Sequence, residues 1–328
     1  MPASRRESIF RKEQKRAALD AAARSSLQRA MAVDDGGSPP SAFPTAPHLF
    51  AGAVGGPFVI TSLTPFRNAM SNAAQDSAST FGQLYAKVGG PMNRGMFTRV
   101  HVAYTGAAVS ALPACPQWCV IGPAFHAFHT FLPTPVALLA TAHLETFLVY
   151  GSQTRNAQLA HNVQVAASTS SGGAEVKPSQ LSRVWRPWGP GAGFFALRNA
   201  CGMSGIRWLS PPCQSALEGV LPSGPREMVA DMAASMVTCL VSAPLNACWV
   251  YSVTTPTLWG MPTAQRLSLT LDYLKRQYLD PTGAHIFSRL AMRDLGVRCV
   301  YISACFSMFS AIERLSVAYW PRRDREVT

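Results

Sequence analysis

From Val100 to Leu144 the chain carries no Asp, Glu, Lys or Arg, an unbroken run of 45 residues. Two more stretches are free of these residues: the 31 from Gly36 to Phe66 and the 34 from Met232 to Gln265. A helix that crosses a bilayer needs about 20 mainly apolar residues, so the first run has room for two spans and a tight turn. A soluble fold exposes charged side chains far more often than this. The runs therefore predict a polytopic membrane protein. Charged residues make up only 14% of the 328, against about a quarter in ordinary soluble domains, and a chain so poor in charge is not a disordered one. Mean hydropathy is close to neutral, which suits helices that surround a polar interior.

The net charge is +12, from 29 basic and 17 acidic residues. Alone, that excess fits nucleic acid, anionic membranes or anionic solutes equally. Its placement decides. The positive charge is spread over the flanks of the apolar runs, without an aromatic-lined basic face, which argues against nucleic-acid binding. Arg5–Arg29 holds eight basic and three acidic residues (Glu7, Glu13, Asp20) and no apolar core, so a secretory signal is excluded. Its Arg and Ser content points to mitochondrial import; its acids fit a solvated helix resting on a membrane or partner. Residues 36–47, with Pro39, Pro40, Pro44 and Pro47, read as a linker.

Eight cysteines are scattered without a CxxC pair, which is the spacing of buried thiols rather than of a zinc site. His126 and His129, with His143 beyond, lie in the longest uncharged run. Haem ligation needs facing histidines on two helices, and no second pair exists; Pro123 and Pro133 around them predict a loop. No P-loop, GxSxG or paired-acid pattern is present. Ala51–Gly56 lacks the strand-then-helix context of a dinucleotide loop, and its small residues suit close helix packing.

One order of features occurs three times: an apolar span, a polar connector, an Arg-bearing approach and a second span. The first copy runs from His48–Pro65 through Thr80–Gly90 and Arg94 and Arg99 to Val100–Leu112. The second runs from Phe131–Tyr150 through Gln153–Trp188 to Phe194–Ser210, with Arg198 and Arg207. The third runs from Met228–Val253 through Thr263–Tyr278 to Phe287–Ile312, with Arg289, Arg293 and Arg298. In the last connector Leu267, Leu271, Leu274 and Tyr278 fall on one helical face, as in a helix lying along a membrane surface. Each connector region is equally positive: 4 − 1 = +3 for Arg67–Arg99, 5 − 2 = +3 for Glu145–Arg198 and 6 − 3 = +3 for Arg266–Arg298. Three basic connectors on one side of six spans satisfy the positive-inside asymmetry, with both termini opposite.

Over residues 47–318 this pattern resembles the mitochondrial carrier family, whose members have three repeats of a Pro-kinked odd helix, a short amphipathic helix and an even helix. The resemblance rests on Thr64-Pro65-Phe66-Arg67-Asn68-Ala69-Met70, His143-Leu144-Glu145-Thr146-Phe147-Leu148 and Ala243-Pro244-Leu245-Asn246-Ala247-Cys248-Trp249, and on the run Ile286–Arg298. It implies an all-α membrane protein of six transmembrane helices in three pseudo-repeats with short interfacial helices. The chain then divides into a basic extension and linker (1–46), repeats at 47–125, 126–222 and 223–318, and a basic tail (319–328). The implied location is the mitochondrial inner membrane.

In that family each odd helix carries Pro-x-acidic-x-x-basic, and the charges form a ring of ion pairs that opens and closes the matrix side. Buried charges are costly unless paired, which makes such a ring a reversible gate. Here Pro65, His143 and Pro244 hold the proline positions; Arg67, Glu145 and Asn246 the acidic ones; Met70, Leu148 and Trp249 the basic ones. No copy keeps both charges, and the pairing left is Arg67 with Glu145. The opposite side offers only Glu218 and Glu313-Arg314. The expectation is a carrier-like protein that no longer transports and is no enzyme. It would serve as an accessory subunit of a large inner-membrane, respiratory-type complex, held through its N-terminal extension and helix faces. The resemblance implies no cofactor, only a bound phospholipid such as cardiolipin. Arg198, Arg207, Arg293 and Arg298 support the alternative, a divergent active carrier of an anionic metabolite. Trp185, Trp188 and the arginines of the tail fit membrane anchoring as well as partner contact.

Overall fold

The computed structural model describes residues 46–73, 79–91, 93–167, 174–280, 282 and 285–319. The basic N-terminal extension and the C-terminal tail lie outside these. Among the described residues the chain is almost wholly helical, without a strand; one isolated bridge joins Leu279 and Phe287.

Glycine and proline punctuate the helices. Helix α1 (46–73) is a stack of Ala46–Phe50, a π-helical turn Ala51–Gly55, Gly56–Ser62 and Thr64–Ala73. It breaks at Leu63 and restarts with Pro65 in the first turn, where a missing amide hydrogen costs least. Helix α2 (Phe81–Val88) opens with a capping box, Thr80 and Gln83 satisfying each other's backbone. Helix α3 (Met96–Ala103) leads through the left-handed Gly106 (φ 81°) into α4 (Ala107–His129), which absorbs Pro113, Pro116 and Pro123. The loop expected at Pro123 is therefore absent: His126 and His129 sit in the last turn of α4.

Helix α5 spans Thr134–Ala167, and α6 (192–216) stacks Ala192–Ser204, a π turn Gly205–Leu209 and Ser210–Ala216. Helix α7 is Ser223–Thr254, with Pro244 inside; α8 is Thr263–Tyr278 and α9 is Arg289–Tyr319. The boundaries of α8 are those the sequence implied. Its Leu stripe is only partly used, since Leu267 and Leu271 are exposed while Thr270, Gln277 and Tyr278 are buried.

The long helices close into a ring. In order, α1 packs on α4, α4 on α5, α5 on α6, α6 on α7, α7 on α9, and α9 returns to α1. Short helices α2 and α8 lie against the ends of this ring, on α1 and α5 and on α7 and α9. The small-residue stretch of α1 is where the closure is tightest. A Cβ added at Gly52 would come within 2.7 Å of the Cys119 backbone, and one at Gly56 within 2.3 Å of Trp118.

Polar side chains are buried beside the apolar core, and large apolar ones are exposed. Arg67, Gln117, Asn156, Gln158, Asn246 and Arg298 are buried, while Phe58, Leu112, Phe147, Val237, Leu240 and Val241 are exposed. Two helices among the described residues, Gly224–Thr254 and Arg289–Glu313, are long and apolar enough to cross a membrane.

Candidate functional site

Of the residues at the expected gate positions, Arg67, Met70, Asn246 and Trp249 are buried inside the ring, and the first three are held by hydrogen bonds to Asn156, Arg298 and Arg198 rather than by ion pairs. Arg67 on α1 is 2% exposed; its Nη2 donates to Asn156 Oδ1 on α5 at 2.9 Å. Asn156 Nδ2 in turn donates to Asn68 Oδ1 (3.1 Å), and Asn68 Nδ2 donates to the carbonyls of Ala103 and Thr105. One node thus ties α1, α5 and the break between α3 and α4. Gly106 is required there: a Cβ would lie 2.0 Å from Asn156 Oδ1, and its φ of 81° disfavours any side chain.

A second node lies two residues along α5. Gln158 Nε2 donates to the Val253 carbonyl of α7 (3.0 Å), and its Oε1 accepts from the Ser182 amide (2.8 Å). This holds segment 174–191 against the bundle. Asn162 exchanges two bonds with the Val176 backbone, and Tyr150 donates to the Pro190 carbonyl. Helix α5 therefore continues where a polar connector was expected, and Ser152, Gln153, Thr154, Asn156, Gln158 and Gln164 are buried along it.

The third node joins α6 to α7. Arg198 Nη1 donates to Asn246 Oδ1 at 2.9 Å, and its guanidinium lies 4.1 Å from the Phe195 ring and 4.7 Å from that of Trp249. Trp249 is 2% exposed and meets Phe195 edge-on at 4.9 Å. Around it Val149, Tyr150, Val250 and Val253 form a continuous apolar core, with Leu148 packed on its edge.

A fourth node closes the ring. Arg298 on α9 donates from Nε to Ser242 Oγ (2.8 Å) and from Nη1 to Met70 Sδ (3.2 Å). One turn earlier Arg293 reaches the carbonyls of Ala73 and Ser79 and pairs with Asp294 at 2.9 Å.

The expected Arg67–Glu145 pair does not form. Glu145 instead accepts from Gln117 Nε2 of α4 at 2.7 Å. His143 faces outward, bonded to the Leu139 carbonyl and stacked on Trp188 at 6.1 Å. Of the four arginines singled out, Arg198 and Arg298 face the interior with Arg67, and like-charge repulsion reaches Arg198 from both while Glu145 attracts it. Arg293 clamps the end of α1. Arg207 is exposed over the Phe125 ring. Pro65 and Pro244 stand at the α1 restart and inside α7.

Neutral amides carry much of this seam, and they are what sequence reading passed over. Asn68, Gln117, Asn156 and Gln158 bear no charge and match no motif. For Asn156 and Gln158 the signal was the largely polar stretch Ser152–Gln164, which carries a single charge at Arg155 and continues helically past the apolar span. Among the described residues no three His, Cys, Asp or Glu side chains gather as metal ligands do. Compared with known proteins, the chain matches no family model, no curated protein and no solved structure.

Proposed function

We propose that this chain is a carrier-like, six-span protein of the mitochondrial inner membrane that has lost transport and serves as an accessory subunit of a large membrane complex. The observation that carries this reading is the seam itself. At two of the positions where a carrier would place separable charges, Arg67 and Asn246, guanidinium–amide bonds link α1 to α5 and α6 to α7, and Gln158 adds a bond from α5 to α7. A switch needs two states close in energy. Parting this seam would strand buried polar groups, each costing about 1–3 kcal/mol and more for a guanidinium. It would also open the apolar core around Trp249.

The six-span topology is supported by the ring order and by helix length. At about 1.5 Å per residue, the 32 residues of α7 and the 31 of α9 exceed a hydrocarbon core of about 30 Å. The apolar exterior and polar interior agree with it. The test is native electrophoresis of gently solubilised mitochondrial membranes, following this chain by mass spectrometry. Stoichiometric migration with a far larger assembly is the expected result; migration only near its own 35.2 kDa overturns it.

The second reading, an active carrier of an anionic metabolite, draws on a different observation. Arg67 and Arg298 repel the interior Arg198 while Glu145 attracts it, leaving an excess of positive charge. Exchange of labelled di- or tricarboxylates or phosphate by the reconstituted protein would establish it and displace the first reading.

A further inference from the structure

The eight cysteines are all free thiols, but two of them meet across a helix boundary. Cys239 lies on α7 and is completely buried; Cys299 lies on the neighbouring α9 and is partly accessible. Their side chains are hydrogen-bonding neighbours. The contact between the helices is fixed at this level by an independent bond, Arg298 Nε to Ser242 Oγ at 2.8 Å. Arg298 directly precedes Cys299, and Ser242 stands three residues after Cys239, on the same face of α7. The only other thiol neighbours, Cys115 and Cys119, are four residues apart on a single helix, α4, so a bond between them would join no two elements.

We propose that Cys239 and Cys299 are a modification site, oxidised by a peroxide to a reversible disulfide that staples α7 to α9. The partly accessible Cys299 reacts first. Its sulfur attacks one peroxide oxygen, the O–O bond breaks, and a sulfenic acid and one water result. The Cys239 sulfur then attacks that sulfenic sulfur, the S–O bond breaks, and the departing hydroxide takes the Cys239 proton as a second water. Two thiols and one hydrogen peroxide thus become one disulfide and two waters. A dithiol reductant reverses the reaction through a mixed disulfide. The staple joins α7 to α9, one contact before α9 closes the ring onto α1 through Arg298 and Met70. The disulfide stands independently of whether the protein transports.

The test uses the full-length protein in its native membrane. After brief hydrogen peroxide treatment the membranes are dissolved in denaturant, and free thiols are counted by the gel shift of a polyethylene-glycol maleimide. The expected result is a loss of two from the eight thiols, restored by dithiothreitol, with a linked peptide containing Cys239 and Cys299 by mass spectrometry. Cys239→Ser and Cys299→Ser each remove one thiol and abolish the linked peptide. Retention of all eight thiols in the wild type overturns the proposal. So does a linked peptide joining other cysteines, or an undiminished loss of two thiols in either serine variant. Should a variant fail to fold, the wild-type peptide map decides alone.

Discussion

Arg67 and Asn156, 89 residues apart in the chain, are joined by a 2.9 Å hydrogen bond between α1 and α5. A carboxamide is the partner of a buried guanidinium here, and the carboxylate that sequence spacing offered, Glu145, is engaged elsewhere. A neutral acceptor cannot be exchanged for another charge, so the bond positions the helices without providing a switch. Two guanidinium nitrogens of Arg67, Nε and Nη1, have no partner among the described residues, which makes the Asn156 contact the more consequential.

Asn156→Leu removes the acceptor of Arg67 and the donor to Asn68 together. Losing a buried hydrogen bond to a charged group costs about 1.5–3 kcal/mol, so thermal unfolding in detergent shifts downward. A double-mutant cycle with Arg67→Met, in which the second change restores part of the loss, measures the coupling.

Gly106→Ala tests the turn between α3 and α4. The left-handed backbone alone costs about 1–2 kcal/mol for an alanine, and the Cβ collides with Asn156 Oδ1 at 2.0 Å. Gly82→Ala, in the first turn of α2 with open space around it, should cause no loss, since alanine favours the helix. Comparison of the two melting temperatures checks it.

Gln158→Leu frees both the Val253 carbonyl and the Ser182 amide. Hydrogen exchange at Ser182 and its neighbours should rise strongly while exchange in α4 stays unchanged. A loss of about 1–3 kcal/mol in local protection is expected for the unsatisfied groups. Uniform acceleration across the protein would contradict a local role.

Asp280, in the turn after α8, accepts from the Thr282 amide and hydroxyl and from the His285 amide. Those Thr282 bonds first, then that of His285, hold its carboxyl below the usual carboxylate range. A lowered folded value means the turn is favoured above the unfolded carboxylate pKa and loosens as pH falls through the folded one. Exchange at the Thr282 and His285 amides should therefore, after correction for intrinsic rates, rise only on acidification. Asp280→Ala should show the loosened turn at neutral pH as well.

The sequence by itself determined the helices, because their causes are local. Long uncharged runs, a leucine stripe of helical period, and glycine and proline at the breaks each act over a few residues. Helix α8 was legible to its last residue for that reason. Proline misled at His126 and His129: α4 carries on through Pro123 because packing along α5 outweighs the lost backbone bond. The absence of paired charge at Pro65–Met70, His143–Leu148 and Pro244–Trp249 is equally a property of the sequence. What replaces that charge was decided only by the tertiary structure. Asn156 meets Arg67, Gln158 meets Val253 and Cys239 meets Cys299 through the rotation and register of whole helices. Neutral amides and thiols carry no periodicity that would announce a partner 60 to 95 residues away. A buried polar group is satisfied by whichever neighbour packing delivers, and packing is a property of the closed ring rather than of any one segment.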